Sequence, residues 1–177
     1  MFTKADIGYQ LRQLQGKKGG ITLVHTSMRA VGDVEGGAEG LLDVLIGHFT
    51  RGRGLLCIPA HTWHHLDDQQ TPTLDMVSDD TCLGALSEIA IRDGRGIRTE
   101  NPTHSMVVFG DRERALEFIA NEPFVKTPTA PESCYGKLLP WAVRCCSSAL
   151  PTTAIPTCMR WMKSWLRQTE WTPALCR

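Results

Sequence analysis

The sequence lacks most of the features that would mark a specialised class of protein. It carries no net charge, since 19 Lys and Arg balance 19 Asp and Glu in 177 residues. That removes the electrostatic footprint expected of a chain that binds nucleic acid or a membrane surface. No apolar run approaches the roughly 20 residues that a membrane span requires. The opening Met1-Phe2-Thr3-Lys4-Ala5-Asp6 is polar and has no apolar centre of the kind a secretory signal needs. No two cysteines stand at CxxC spacing and their count, seven, is odd, which argues against both a common zinc site and a disulfide framework. Reduced thiols and a cytoplasmic location are expected. What remains is ordinary: 42% apolar and 21% charged residues, the composition of a soluble globular chain about one domain long.

The stretch Leu23-Val24-His25-Thr26-Ser27-Met28-Arg29-Ala30-Val31-Gly32 organises what is there. Ile21 to Val24 read as the end of a buried strand, and the glycines at 36, 37 and 40 open a helical run from Leu41 to Phe49. A strand ending in a turn rich in hydroxyls and glycine offers backbone N–H groups to an anion, and Arg29 adds a fork of donors. Such a turn is a candidate cradle for a phosphorylated cofactor. The same residue types also serve turn geometry alone. Leu55 to Pro59 is a second buried strand, so strand, helix and strand predict a parallel βαβ unit and an α/β fold. Ligands of such sheets sit beyond the carboxyl ends of the strands, where His25 and Ala60-His61-Thr62 fall.

Around this unit, Thr3 to Leu14 is expected to form an amphipathic helix, Leu83 to Arg92 another and Arg112 to Asn121 a third. Arg98 to Ser105 reads as a polar turn, Met106 to Gly110 as a third strand, and Pro123 to Gly136 as a proline-rich loop. Cys57 is expected in the core. The long segment from Pro59 to Thr81 holds His61, His64 and His65 and five acids, Asp67, Asp68, Asp75, Asp79 and Asp80. Segments of that length are usually functional. His61, His64, His65 and Asp67 could form a metal cluster for a hydrolase, but Pro59 and Thr62-Trp63 favour a polar loop or a sugar-binding wall.

Five motifs occur in one order: LVHTSMRAVGDVEGGAEGLLDVL, PAHTW, GALSEIAIR, RTENPTHSMVVFG and SCYGKLL. Together they resemble the aminoglycoside 3-N-acetyltransferase family, from about Ile21 to Leu139. The resemblance implies a three-layer α/β/α domain that binds acetyl-CoA, uses no metal and acetylates an amine of an aminoglycoside. Carried over by position, His25, Thr26, Ser27, Arg29, Val31 and Gly32 would line the pantetheine and phosphates. Asn101, Pro102 and Ser105 would line the other side, with Tyr135 and Gly136 near it. His61, Thr62, Asp67 and Asp68 would face the polycationic sugar, because carboxylates attract ammonium groups. Cys134 stands where the family often has proline.

The resemblance stops at about Pro140. Residues 141–177 hold four of the five tryptophans, four of the seven cysteines and one acid, Glu170, and show no helix or strand period. Joining each codon's last base to the first two of the next changes the picture. Trp161–Met162 must then encode Asp and Met162–Lys163 Glu, while Ile155 to Trp161 can encode Thr-Tyr-Leu-His-Ala-Val. The shifted frame thus reads TYLHAVDE, preceded by GG-x-x-LLL-x-G from Trp141 to Ala149. Both strings resemble the family's second half, in which the histidine of T-x-x-H-x-x-E acts as general base. One base lost near Pro140 would interchange the two readings. The expected division is therefore an acetyl-CoA-binding part, 1–140, and a frameshifted tail, 141–177.

Overall fold

The computed structural model describes residues 1–13, 19–63, 74–77 and 80–138. The expected tail, 141–177, and His64, His65, Asp67 and Asp68 lie outside these residues. Thr3 and Asp6 open α1 (Lys4–Gln13) by capping each other: the Thr3 amide and hydroxyl donate to the Asp6 carboxylate at 2.9 and 2.6 Å, and the Asp6 amide returns a bond to Thr3 Oγ1 at 3.1 Å. Ile7 and Leu11, four residues apart, bury one stripe of α1. After β1 (Ile21–Leu23), a four-residue helix, α2 (Met28–Val31), precedes α3 (Gly37–Phe49). A turn at Arg51–Arg53 leads to β2 (Leu55–Pro59). Then follow α4 (Ala85–Arg92), β3 (Ile97–Arg98), β4 (Met106–Gly110), α5 (Arg112–Ile119) and α6 (Cys134–Leu138).

The strands form one sheet in the order β1-β2-β4-β3. β1 and β2 run parallel, with Leu23 opposite Cys57, and α3 makes the crossover between them. β4 returns antiparallel beside β2, with Cys57 opposite Val108, and β3 pairs antiparallel with β4. The pleat divides the core between two faces. Leu56, Ile58, Val107 and Phe109 pack with residues of α1, α3 and α4, whereas Leu55, Cys57, Met106 and Val108 meet α5 and α6 through Ala115, Phe118, Cys134 and Leu138. This is a three-layer α/β/α arrangement, and all five residues of β2 are buried because both of its faces are covered.

The expected helices and the three expected strands occur close to their expected bounds. Three short elements escape the sequence: α2, β3 and α6. Each is too short to display a period, and β3 exists because β4 supplies its partner. Cys57, Cys82 and Cys134 are free thiols. Among the described residues no helix is long and apolar enough to cross a membrane.

Candidate functional site

The site forms where β1 and β2 end on the same side of the sheet. β1's ladder runs one residue further, with the Val24 amide on the Cys57 carbonyl at 2.9 Å, and the chain then turns into α2. Ser27 occupies the N-cap of α2, yet its side chain makes no capping hydrogen bond, so its hydroxyl is left to face solvent beside the exposed Arg29. Val31 turns inward and is 5% exposed, a core residue more than a lining one. Gly32 closes α2 at φ 86°, a left-handed value that favours glycine, and its amide returns to Met28 O at 3.0 Å. The expected cradle is thus split. His25, Ser27 and Arg29 face outward, and Val31 and Gly32 fix the turn.

The opposite wall comes from β2's extension and the turn after β3. Ala60 and Thr62 donate backbone bonds to Ser105 and Thr103 at 2.8 and 3.1 Å, prolonging the pairing of β2 with β4. Side chains then fasten the turn. Thr62 Oγ1 donates to Pro102 O at 2.6 Å, Ser105 Oγ to Ala60 O at 2.6 Å, and Asn101 Oδ1 accepts from the amides of Thr103 and His104 at 3.2 and 2.8 Å. Thr62, Asn101 and Ser105 are all buried, and their polar atoms hold the wall in shape.

At the centre lies His61, 9% exposed. Its Nε2 is 2.6 Å from the Tyr135 hydroxyl, which α6 brings up from the far layer. Its ring packs 4.9 Å from Trp63 and 4.8 Å from His104, centroid to centroid. Burial, helped by the neighbouring imidazoles of His104 and His25, lowers the His61 pKa to about 3. Burial also lowers the value of His104 and raises that of Tyr135, where Cys57, Cys134 and Glu122 add to the effect, while the protein flanking His25 lowers its value by partial desolvation although its side chain reaches solvent. At neutral pH the contact therefore joins a neutral imidazole to a protonated phenol.

This arrangement has a consequence for stability. Between pH 6.5 and about 3 the unfolded chain protonates His61 while the folded chain does not, so stability rises with pH across that window and is lost as pH falls through it. At pH 5 the loss from His61 alone amounts to about 2 kcal/mol. Thermal unfolding measured from pH 7 to pH 5 should show a falling midpoint, and His61→Gln should flatten the dependence. A variant that keeps the wild-type slope would show that His61 is not its source.

The structure brings together His61 and Thr62, expected at the substrate, and Asn101, Pro102, Ser105 and Tyr135, expected at the cofactor, and it adds Trp63 and His104, which sequence reasoning did not place in the site. The PAHTW string and the Asn101–Ser105 turn were the available signals, and only the pairing of Thr62 with Thr103 reveals that they adjoin. Gly136 lies under the site in close backbone contact with Ala130, not open to it. Cys82 is exposed, and its thiol donates to His61 O at 3.3 Å. Among the described residues no three His, Cys, Asp or Glu side chains are grouped to hold a metal.

Comparison with known proteins adds to this geometry. The family profile described as aminoglycoside 3-N-acetyltransferase matches residues 23–143. Aminoglycoside N(3)-acetyltransferase IV of Salmonella sp is 32% identical over 131 residues, 73% of this chain and 47% of that protein. A solved mutant of aminoglycoside acetyltransferase AAC(3)-IVa, in complex with a gentamicin, superposes with a TM-score of 0.65 at 27% identity, covering 77% of this chain and 50% of that one. The binary complex of AAC-IIIb with CoASH superposes at 0.64 and 22% identity, over 78% and 56% of the two chains, and speaks for the fold alone. The chain spans about half the length of the curated relative that it matches.

Proposed function

The chain belongs to the aminoglycoside 3-N-acetyltransferase family, and from that premise we propose that residues 1–140 form the acetyl-CoA-binding part of an enzyme that transfers an acetyl group to an aminoglycoside amine. We also propose that the chain as written lacks the transfer step. The observation carrying the first statement is that the family match includes both the 25–32 turn, which follows the carboxyl end of β1, and the 101–105 turn, which is bonded to the chain just beyond the carboxyl end of β2. Open α/β sheets bind their ligands there.

In this reading Arg29 and the hydroxyls of Thr26 and Ser27 meet the phosphates, with the first amides of α2 adding donors that no preceding turn of helix can occupy. His25 stands at the inner end of the turn, and the rigid wall from Asn101 to Ser105, with Tyr135 behind it, shapes the path of the pantetheine arm. The acids of the 60–81 segment, Asp67 and Asp68 among them, serve the amine substrate, as a relative's complex with gentamicin suggests by kinship. Acetyl-CoA supplies the activated acyl group, and this chain's residues bind and orient it.

The second statement rests on sequence. The base that removes a proton from the attacking nitrogen, and the carboxylate that orients it, belong to a T-x-x-H-x-x-E string that occurs here only in the shifted frame. A chain without it is a CoA-binding remnant.

Calorimetric titration with CoA tests the first statement. The chain should bind CoA, and Arg29→Ala should weaken that binding about tenfold, the value of one charge-assisted phosphate contact at an exposed site. Failure of the intact chain to bind CoA would overturn the reading.

A further inference from the structure

The two edges of the sheet are built differently. β3 is two residues long, carries the buried guanidinium of Arg98 and runs into the polar turn that walls the site. Shortness and an inward charge close a strand edge to further pairing. β1, at the other end of the strand order, has neither an inward charge nor any other guard: Ile21, Thr22 and Leu23 include no charged residue, no proline and no glycine. Among the described residues no strand pairs with its outer side.

The register shows which groups lie along that side. The Leu55 amide donates to Gly20 O at 3.0 Å and the Val24 amide to Cys57 O at 2.9 Å, so Gly20, Thr22 and Val24 turn their backbone groups to β2. In a parallel ladder the residues between them turn theirs the opposite way. Ile21 and Leu23 therefore offer amides and carbonyls outward. Their half-buried side chains lie at the margin of the cluster formed by Leu55, Cys57, Cys134 and Leu138. An apolar edge with its donors and acceptors unfilled is a template for one more strand.

The course of the chain points to the occupant. α6 ends at Leu138, in the same cluster that Ile21 and Leu23 border. The GG-x-x-LLL-x-G string of the shifted frame begins at the Trp141 codon, and connections of about two to six residues between a helix and a strand are ordinary. We propose that the open edge of β1 is the seat of the strand encoded by the shifted frame across the codons of Trp141 to Ala149, laid parallel to β1. The inference rests on the frame reading above and deepens it. The frame as written removes the base and also leaves the sheet unfinished beside the cofactor turn. Parallel placement brings the new strand's carboxyl end next to the 25–32 turn, so the sheet itself delivers the histidine string that follows to the site.

Amide exchange followed by NMR tests this on two chains, the one written here and the one obtained by adding a base ahead of the Trp141 codon. In the first, Thr22 and Val24 should exchange slowly, and Ile21 and Leu23 about a hundredfold faster or more. In the second all four should be slow, and nuclear Overhauser contacts should join Ile21 and Leu23 to the three restored leucines. Fast exchange at Ile21 and Leu23 in the second chain would overturn the proposal, and so would contacts to any other segment. Protection of these two amides that grows with concentration in the first chain would make the occupant a second copy and overturn it as well. Titration of both chains with CoA keeps the readings apart: failure to bind CoA sinks the functional assignment, whereas exchange and contacts alone decide the edge. A gene whose shifted frame lacks the leucine run would overturn the frame reading and this occupant together.

Discussion

Assayed with acetyl-CoA and gentamicin, the chain as written should release no thiol above background. The chain obtained by adding one base ahead of the Trp141 codon should acetylate at least about a thousandfold faster, the range that a positioned general base contributes. An aminoglycoside ammonium must lose one proton to become a nucleophile and a second as it attacks the thioester, so a base with a pKa near the working pH is needed. None of the described imidazoles at the site meets that need. His61 is held to a pKa of about 3 and its Nε2 is committed to Tyr135. Both nitrogens of His104 are engaged by Trp63 and Thr103. His25 is exposed, but no described carboxylate hydrogen-bonds to it to hold its tautomer or stabilise its cation. The added base would restore TYLHAVDE, and with it a histidine and a nearby glutamate. Measurable turnover by the unmodified chain would sink this expectation and point to His25 as an unaided base.

The second large effect concerns a residue that sequence reasoning assigned to the cofactor. Gly136→Ala should lower the stability by about 3 kcal/mol or more, at or beyond the upper end for overpacking, and the unfolding midpoint by about 10 °C or more. A Cβ at Gly136 would lie 1.9 Å from the Ala130 carbonyl oxygen and 2.9 Å from Pro131 Cα, all of it backbone that no rotamer change can clear. The Gly136 amide is tied to Ser133 Oγ at 2.8 Å, and that hydroxyl to Pro128 O at 2.6 Å, so the loop and α6 form one packed unit. Moving that unit withdraws Tyr135 from His61. Gly47→Ala provides the contrast. It lies inside α3 with nothing within 4 Å of an added Cβ, and it should raise stability by about 0.5–1 kcal/mol. Thermal unfolding of the two variants settles the matter: a Gly136→Ala midpoint within about 2 °C of the parent, roughly 1 kcal/mol or less, would mean that the backbone yields.

The strand–helix–strand unit was legible because Ile21–Val24, the run Leu41–Phe49 and Leu55–Pro59 each carry a clear apolar pattern, and chirality and connection length leave one way to join them. The antiparallel placement of β4 was not legible. Met106–Gly110 reads as a buried strand in either direction, and only the bonds from Ala60 and Thr62 to the 103–105 turn fix its sense. The same limit applies to the site. His25, Ser27 and Arg29 could be found from the turn that they share. Trp63 and His104 lie 41 residues apart, and nothing in local sequence announces a pairing across that separation. Val31 and Gly136 were assigned to a ligand by position in a motif, and the structure shows both to be buried.

The carbonyl oxygen of His61 receives the Thr81 hydroxyl at 2.9 Å and the Cys82 amide at 3.0 Å. The chain thus leaves the sheet and returns to it at a single clasp. Because the clasp holds both ends, doubling the length of the connection between them should cost only about 0.6 kcal/mol of closure entropy and leave the register of β2 and β4 untouched, so this is the point in the chain at which insertions are cheapest for the sheet.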